Sequence, residues 1–158
     1  MKQQITTLFA GGVLALALFG AAIAGPLEDG QAAVRNGDYA TAMQYFRVLA
    51  DQGNAVAQNN FGFMYDQGLG VPRDYAQAVV WLRKAAEQGN ALGQVNLGTM
   101  YDHGHGVPQD YAQAHMWYNL AASHAEDPAT RETAVKNRDD VAAKMTPAQI
   151  AEAQRLAS

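Results

Sequence analysis

Gly37-Asp38-Tyr39-Ala40-Thr41-Ala42, Arg73-Asp74-Tyr75-Ala76-Gln77-Ala78 and Gln109-Asp110-Tyr111-Ala112-Gln113-Ala114 stand 36 residues apart. The register runs well beyond these hexapeptides. Tyr45, Trp81 and Trp117 align, as do Ala50, Ala86 and Ala122, Gly53 with Gly89, Phe61 with Leu97, Gly62 with Gly98, and Tyr65 with Tyr101. Gly68-Leu69-Gly70-Val71-Pro72 recurs as Gly104-His105-Gly106-Val107-Pro108. A fixed period of this length over so many positions is the signature of stacked supersecondary units, each unable to bury its apolar face alone.

Punctuation within one period marks out two helices. Asp74 followed by Gln77, and Asp110 followed by Gln113, have the spacing of a capping box, in which the side chains of both residues bond the other's backbone N–H. From that start Tyr75, Ala78, Trp81, Leu82 and Ala85 fall along one face of an α-helix. Gly89 supplies a left-handed C′ position, and Asn90 can cap the helix that follows. That helix carries Val95 to Tyr101 and stops at Gly104; its counterpart one period earlier runs from Ala55 to about Gln67. A mid-helix glycine costs about 1 kcal/mol relative to alanine. The recurrence of Gly62 and Gly98 is therefore read as close approach of a neighbouring helix, with Ala78 or Ala114 facing the gap, while Trp81 and Trp117 fill the remaining core.

The ends of the chain depart from the repeat. Met1 to Ala24 has one positive charge, Lys2, an apolar run from Leu8 to Ile23 broken only by glycine, and the small residues Ala22 and Ala24 flanking Ile23. This is the pattern of an export signal cleaved between Ala24 and Gly25, and it predicts a periplasmic or secreted product with no membrane span once the signal is removed. At the other end, Asp127-Pro128 starts a helix that runs to about Lys144, and Thr146-Pro147-Ala148-Gln149 starts a last one that runs to about Ala157. Residues 129–157 are read as the cap that covers the open face of the array, with Ile150, Ala153 and Leu156 as the covering side chains.

Composition narrows the function. Of 158 residues, 49% are hydrophobic and no long polar tract interrupts them, so a packed core is expected. Without Lys2 the chain carries 10 basic and 15 acidic side chains and no basic stripe, which argues against nucleic acid as a partner. The absence of cysteine removes disulfides, thiolate metal sites and thiol nucleophiles. Asp102, His103 and His105 lie within four residues, but no further metal ligand is fixed by spacing. His115 occupies a helix position that holds Val79 one period earlier, and His124 lies near a helix end. Neither has a nucleophile or orienting acid at a diagnostic spacing. Asp38, Asp74 and Asp110 are accounted for by capping, and the glycine-rich linkers lack the Lys-Ser/Thr of a phosphate loop. No catalytic set, metal or cofactor is expected.

The stretch from Tyr65 through Gly70-Val71-Pro72 and Asp74 to Ala85-Ala86-Glu87-Gln88-Gly89 resembles the Sel-1-like repeat, a relative of the tetratricopeptide repeat. The next copy, Leu97-Gly98 through Ala121-Ala122, follows the pattern up to its final glycine, which is Ala125 here; the first copy lacks the Gly-x-Gly-Val-Pro linker. The resemblance implies an all-α superhelix of antiparallel helix pairs. The expected layout is a partial unit at 25–53, full units at 54–89 and 90–125, and capping helices at 127–158. It also implies an adaptor that holds a protein or peptide partner, with the first helix of each pair lining the groove. On those helices Asn59, Phe63 and Asp66, with their equivalents Val95, Thr99 and Asp102, are nominated as the partner surface, flanked by Asn60 and Asn96. An exported hydrolase or metal-dependent enzyme is one alternative; a structural or chaperone-like envelope protein is another.

Overall fold

The computed structural model describes residues 25–157. The predicted export signal lies outside them. Eight helices follow one another: α1 over residues 25–35, α2 Tyr39–Asp51, α3 Ala55–Gln67, α4 Tyr75–Glu87, α5 Ala91–His103, α6 Tyr111–His124, α7 Pro128–Ala142 and α8 Pro147–Leu156. The described residues contain no strand.

Local chemistry sets these boundaries. Asn54, Asp74, Asn90 and Asp110 each accept a backbone N–H three residues on, from Ala57 at 2.9 Å, Gln77 at 3.0 Å, Gly93 at 2.7 Å and Gln113 at 3.0 Å. The capping boxes expected at Asp74 and Asp110 close in this one direction. The reciprocal pair forms at α8, where Thr146 N–H donates to Gln149 Oε1 at 2.8 Å and Gln149 N–H to Thr146 Oγ1 at 3.3 Å. Gly68 and Gly104 end α3 and α5 in the left-handed conformation, donating to the carbonyls of Met64 and Met100.

The second glycine of each linker fixes the stacking. Gly70 has φ +70°, and a Cβ there would sit 2.6 Å from the carbonyl oxygen of Tyr39, at the start of α2; Gly106 presses in the same way on the carbonyl of Tyr75, at the start of α4. Each linker thus lies on the helix start of the preceding unit, and only glycine satisfies both the dihedral and the space.

Within each unit α3 packs on α4 and α5 on α6; between units α2 packs on α3 and α4 on α5. The first helices also touch one another, α3 against α5 and α5 against α7, whereas no comparable contact joins α2 to α4 or α4 to α6. The first helices therefore line the inner side of the curve and the second helices splay on the outer side.

The fully buried knob is the residue after the aligned aromatic: Phe46, Leu82 and Tyr118. Leu82 lies against Gly62 and Tyr118 against Gly98. A Cβ on Gly62 would meet the Cγ of Leu82 at 2.9 Å, its backbone N at 3.0 Å and the Ala78 carbonyl at 3.1 Å, so the expected close approach at Ala78 is present. At Gly98 the nearest atoms are those of the Tyr118 ring, the closest 2.8 Å from such a Cβ. Trp81 and Trp117, expected in the core, are half-buried at its edge: Trp81 stands edge-on to Phe61 of its own unit with centroids 5.2 Å apart, and Trp117 borders the cluster that holds Leu82, Leu97 and Met100.

The last unit is closed mainly by α7. Thr130, Ala134 and Val141 lie at helical spacing on one face and are buried, the latter two in one cluster with Val95, Ala114, Tyr118 and Ala121. Of the three covering residues expected on α8, Ala153 is fully buried while Ile150 and Leu156 are half-buried. α8 packs on α6, so it supports the cover from one side only.

Candidate partner-binding surface

The nominated residues divide into an open set and a closed set. Asn59 and Val95 are 5% and 7% exposed, because α3 and α5 have neighbours on three sides: the preceding second helix, their own partner, and the next first helix. A helix so enclosed leaves a narrower solvent face than a helical wheel drawn for a pair predicts. Val95 belongs to the last core cluster. Asn59 accepts a hydrogen bond from the Asn96 amide at 2.8 Å and so ties α3 to α5.

Asn60 and Phe63 remain on the inner side. With Gln31 and Val34 of α1, Met64, and Leu69 of the linker, they line a largely apolar cavity of about 260 Å³ with Phe46 at its base. Phe63 is 41% exposed, unusual for so large an apolar side chain. The apolar wall contributed by α1 carried no signal readable from the repeat, since residues 27–36 stand outside its register.

Further along the same helices, Asp66 and Thr99 line a second, polar cavity of about 320 Å³ with Gln67, Arg73, Tyr75, His103 and His105. Gln67 donates to Asp66 at 2.6 Å. The Thr99 hydroxyl bonds the Val95 carbonyl at 3.0 Å and the Tyr118 hydroxyl at 3.1 Å. Burial pushes the Tyr118 phenol up to about 12, so it acts as a structural neutral group.

Asp102 does not join its histidine neighbours. Its carboxylate accepts from Lys144 Nζ at 3.0 Å, which anchors the segment after α7 to α5 and raises the Lys144 pKa above its ordinary value. His105 stacks on Tyr75 at 4.3 Å between centroids, and His103 lies 5.4 Å from His105. His115 is buried in α6 with no partner for Nδ1; desolvation, and then the charge of Arg138, holds its pKa below the usual histidine value.

A polar seam missed in the sequence runs between units. Buried Gln58 donates to the Ala50 carbonyl at 3.1 Å, and buried Gln94 to the Ala86 carbonyl at 3.0 Å, each supplying a donor to the last turn of the preceding helix. Gln88 and His124, one period apart, bond Gln58 at 2.6 Å and Gln94 at 3.0 Å. The readable signal was glutamine recurring at 36 residues near the start of an otherwise apolar helix. No helix among the described residues is long and apolar enough to cross a membrane.

Comparison with known proteins agrees with this architecture. The Sel1 repeat model matches three spans, 15–54, 55–90 and 91–125. No curated protein matches the chain. Among solved structures, a protective antigen present in uropathogenic Escherichia coli strains and displaying an SLR fold is 34% identical with a TM-score of 0.78, covering 85% of this chain and 29% of the antigen. A Sel1 repeat protein from Oxalobacter formigenes is 27% identical with a TM-score of 0.60, covering 75% of this chain and 57% of that one. The chain thus spans under a third of the first relative and somewhat over half of the second. With three matched repeats over most of its length, the chain belongs to the Sel1 repeat family.

Proposed function

We propose that this protein is a non-catalytic scaffold of the cell envelope that holds a protein or peptide partner on the inner face of its superhelix. Repeats of this family generally mediate protein interactions, and the fold is usually non-catalytic. One observation carries the choice of face: Phe63 stands exposed beside an apolar cavity of about 260 Å³, with the Asn60 amide at its rim. An apolar side chain of a partner would fill the cavity while amides such as Asn60 and Asn96 hold its backbone. The periplasm, or the space outside the cell, is where the sequence of residues 1–24 would deliver it.

A photo-reactive residue placed at Phe63 tests this in intact cells, with the same residue at Val80, exposed on the outer helix α4, as the control. One dominant partner cross-linked from position 63 and not from position 80 is expected. Equal capture from both positions, or a diffuse set of proteins from either, would overturn the specific-scaffold reading in favour of a general envelope or chaperone-like role. Amino-terminal sequencing of the exported protein is expected to begin at Gly25.

A further inference from the structure

We propose that the polar cavity between the ends of α3 and α5 is a carboxylate-binding subsite of the groove, built from Arg73, Tyr75, His103 and His105. The inference deepens the scaffold reading and rests on it for the identity of the ligand as a peptide.

The cavity is shared by two units: Asp66, Gln67, Arg73 and Tyr75 come from one, Thr99, His103 and His105 from the next. One period on, the equivalent place holds Asp102, Gln109 and Tyr111, and it is already filled. Lys144 bonds Asp102 at 3.0 Å and lies 5.4 Å from the Tyr111 ring centroid, while Gln109 donates to the Asp102 carbonyl at 2.7 Å. There the cation is imported from the segment after α7 and balances the aspartate.

The earlier place differs in three ways. Arg73 replaces Gln109 and brings a cation of its own. His105 covers the Tyr75 ring where Lys144 lies over Tyr111, so no incoming ammonium can use that face. Asp66 already accepts the Gln67 amide at 2.6 Å.

The balance of donors and acceptors follows. Arg73 Nη1 donates to the Tyr75 hydroxyl at 3.3 Å, which turns the phenolic hydrogen outward and leaves most of the guanidinium N–H groups for a ligand. The two imidazoles line the same cavity and add ring N–H donors, His105 from its place against the Tyr75 ring. Asp66 keeps its charge but forms no ion pair with Arg73, and among the described residues no carboxylate lies within ion-pair distance of this guanidinium. Arg73 is thus left to a ligand that brings acceptor oxygens and a negative charge, and a planar carboxylate fits its fork. The cavity lies one helical turn beyond Phe63, about 5.4 Å. An extended peptide, rising ~3.3 Å per residue, would place an acidic group about two residues from the side chain in the apolar cavity.

Three labelled probes, titrated by fluorescence anisotropy against the purified protein, test this: Ac-Leu-Ala-Glu-Ala-amide, its Gln analogue, and the Gln analogue with a free C-terminal carboxylate. The Glu probe is expected to bind about tenfold tighter than its Gln analogue, a charge-assisted pair being lost in the latter. Tighter binding of the free-terminus probe would assign the carboxylate to a chain end, tighter binding of the Glu probe to a side chain. Arg73→Gln combined with His103→Gln, both at exposed positions, should abolish the discrimination with an unchanged melting curve. Equal binding of all three probes, discrimination surviving in the double variant, or no binding at all would overturn the subsite. Cross-linking from position 63 decides the scaffold reading separately, since it is read without any carboxylate probe.

Discussion

The units 54–89 and 90–125 share caps, linkers and glycines, yet they end in different company. The first is followed by another repeat helix, α5, and the second by α7, which follows no repeat pattern. At the knob position Leu82 faces Gly62, while Tyr118 faces Gly98 and hydrogen-bonds Thr99. Val79 becomes His115, buried beside Arg138 and Asp139 of α7. The polar place left open at Asp66 and Arg73 is closed at Asp102 by Lys144. The period dictates backbone and register, whereas the chemistry of each unit is set by what packs against it.

Gly62→Ala and Gly98→Ala should break the likeness most. Alanine raises helix propensity by about 1 kcal/mol at either site. At Gly62 the added Cβ meets backbone atoms of α4, Leu82 N at 3.0 Å and Ala78 O at 3.1 Å, which move only if the whole helix moves. Overpacking of that kind costs about 1–3 kcal/mol, and a net loss of stability is expected. At Gly98 the nearest atoms belong to the Tyr118 ring, at 2.8 Å, and a ring can tilt. Urea unfolding is expected to show a clearly lower midpoint for Gly62→Ala and a small change for Gly98→Ala. Equal losses would mean that α6 is as rigidly placed as α4 and that the ring does not yield.

How much of this was legible follows from the same distinction. The helix limits at Ala55, Gln67, His103 and Gly104 agree with the reading because caps and left-handed glycines are local, and local chemistry is written in the residues that perform it. The face of each helix was harder to read. Asn59 and Val95 looked open because a wheel gives an α-helix one buried side, and contact between successive first helices closes a second. Trp81 and Trp117 looked central because size suggests burial, while the tight inner space beside glycine takes the residue after them. The apolar cavity depends on α1 lying across Phe63, and the salt bridge joins residues 42 apart, outside the 36-residue period; neither has a sequence pattern.

A smaller effect sharpens the comparison through pH. His115 has a folded pKa below the ordinary value, so it is neutral in both states at neutral pH. As pH falls through the ordinary histidine range, about 6.5, the unfolded chain takes up the proton before the buried imidazole does. Stability conferred by burying the neutral ring is therefore present above that range and lost as pH falls through the folded value. The groups facing it across the α6–α7 contact are Arg138, which opposes protonation, and Asp139, which favours it. His115→Val copies the preceding unit. It removes an unpaired buried nitrogen, worth on the order of 1 kcal/mol, and should flatten the acid limb of a plot of unfolding free energy against pH. An acid limb unchanged in the variant would place the proton uptake elsewhere.

The smallest expected effect is at the join between array and cap. Lys144 is half-exposed and Asp102 more enclosed, with 47% and 14% of their side chains accessible. An ion pair so placed contributes roughly 0.2–1 kcal/mol and is weakened by salt. Lys144→Met keeps the aliphatic stem near Tyr111 and removes the ammonium, so stability should drop within that range at low salt and converge with the parent at high salt. The structural consequence is more telling than the energy. Without the ammonium, Asp102 and Tyr111 would present an open polar place one period beyond Asp66 and Tyr75, lacking the arginine that the earlier one has. Amide exchange over residues 128–142 should then quicken while exchange over α3 and α4 stays as it was. Uniform quickening across all helices would instead mean that the cap and the repeats unfold as one cooperative unit, and that the pair at 102 and 144 holds the whole array and not its last turn alone.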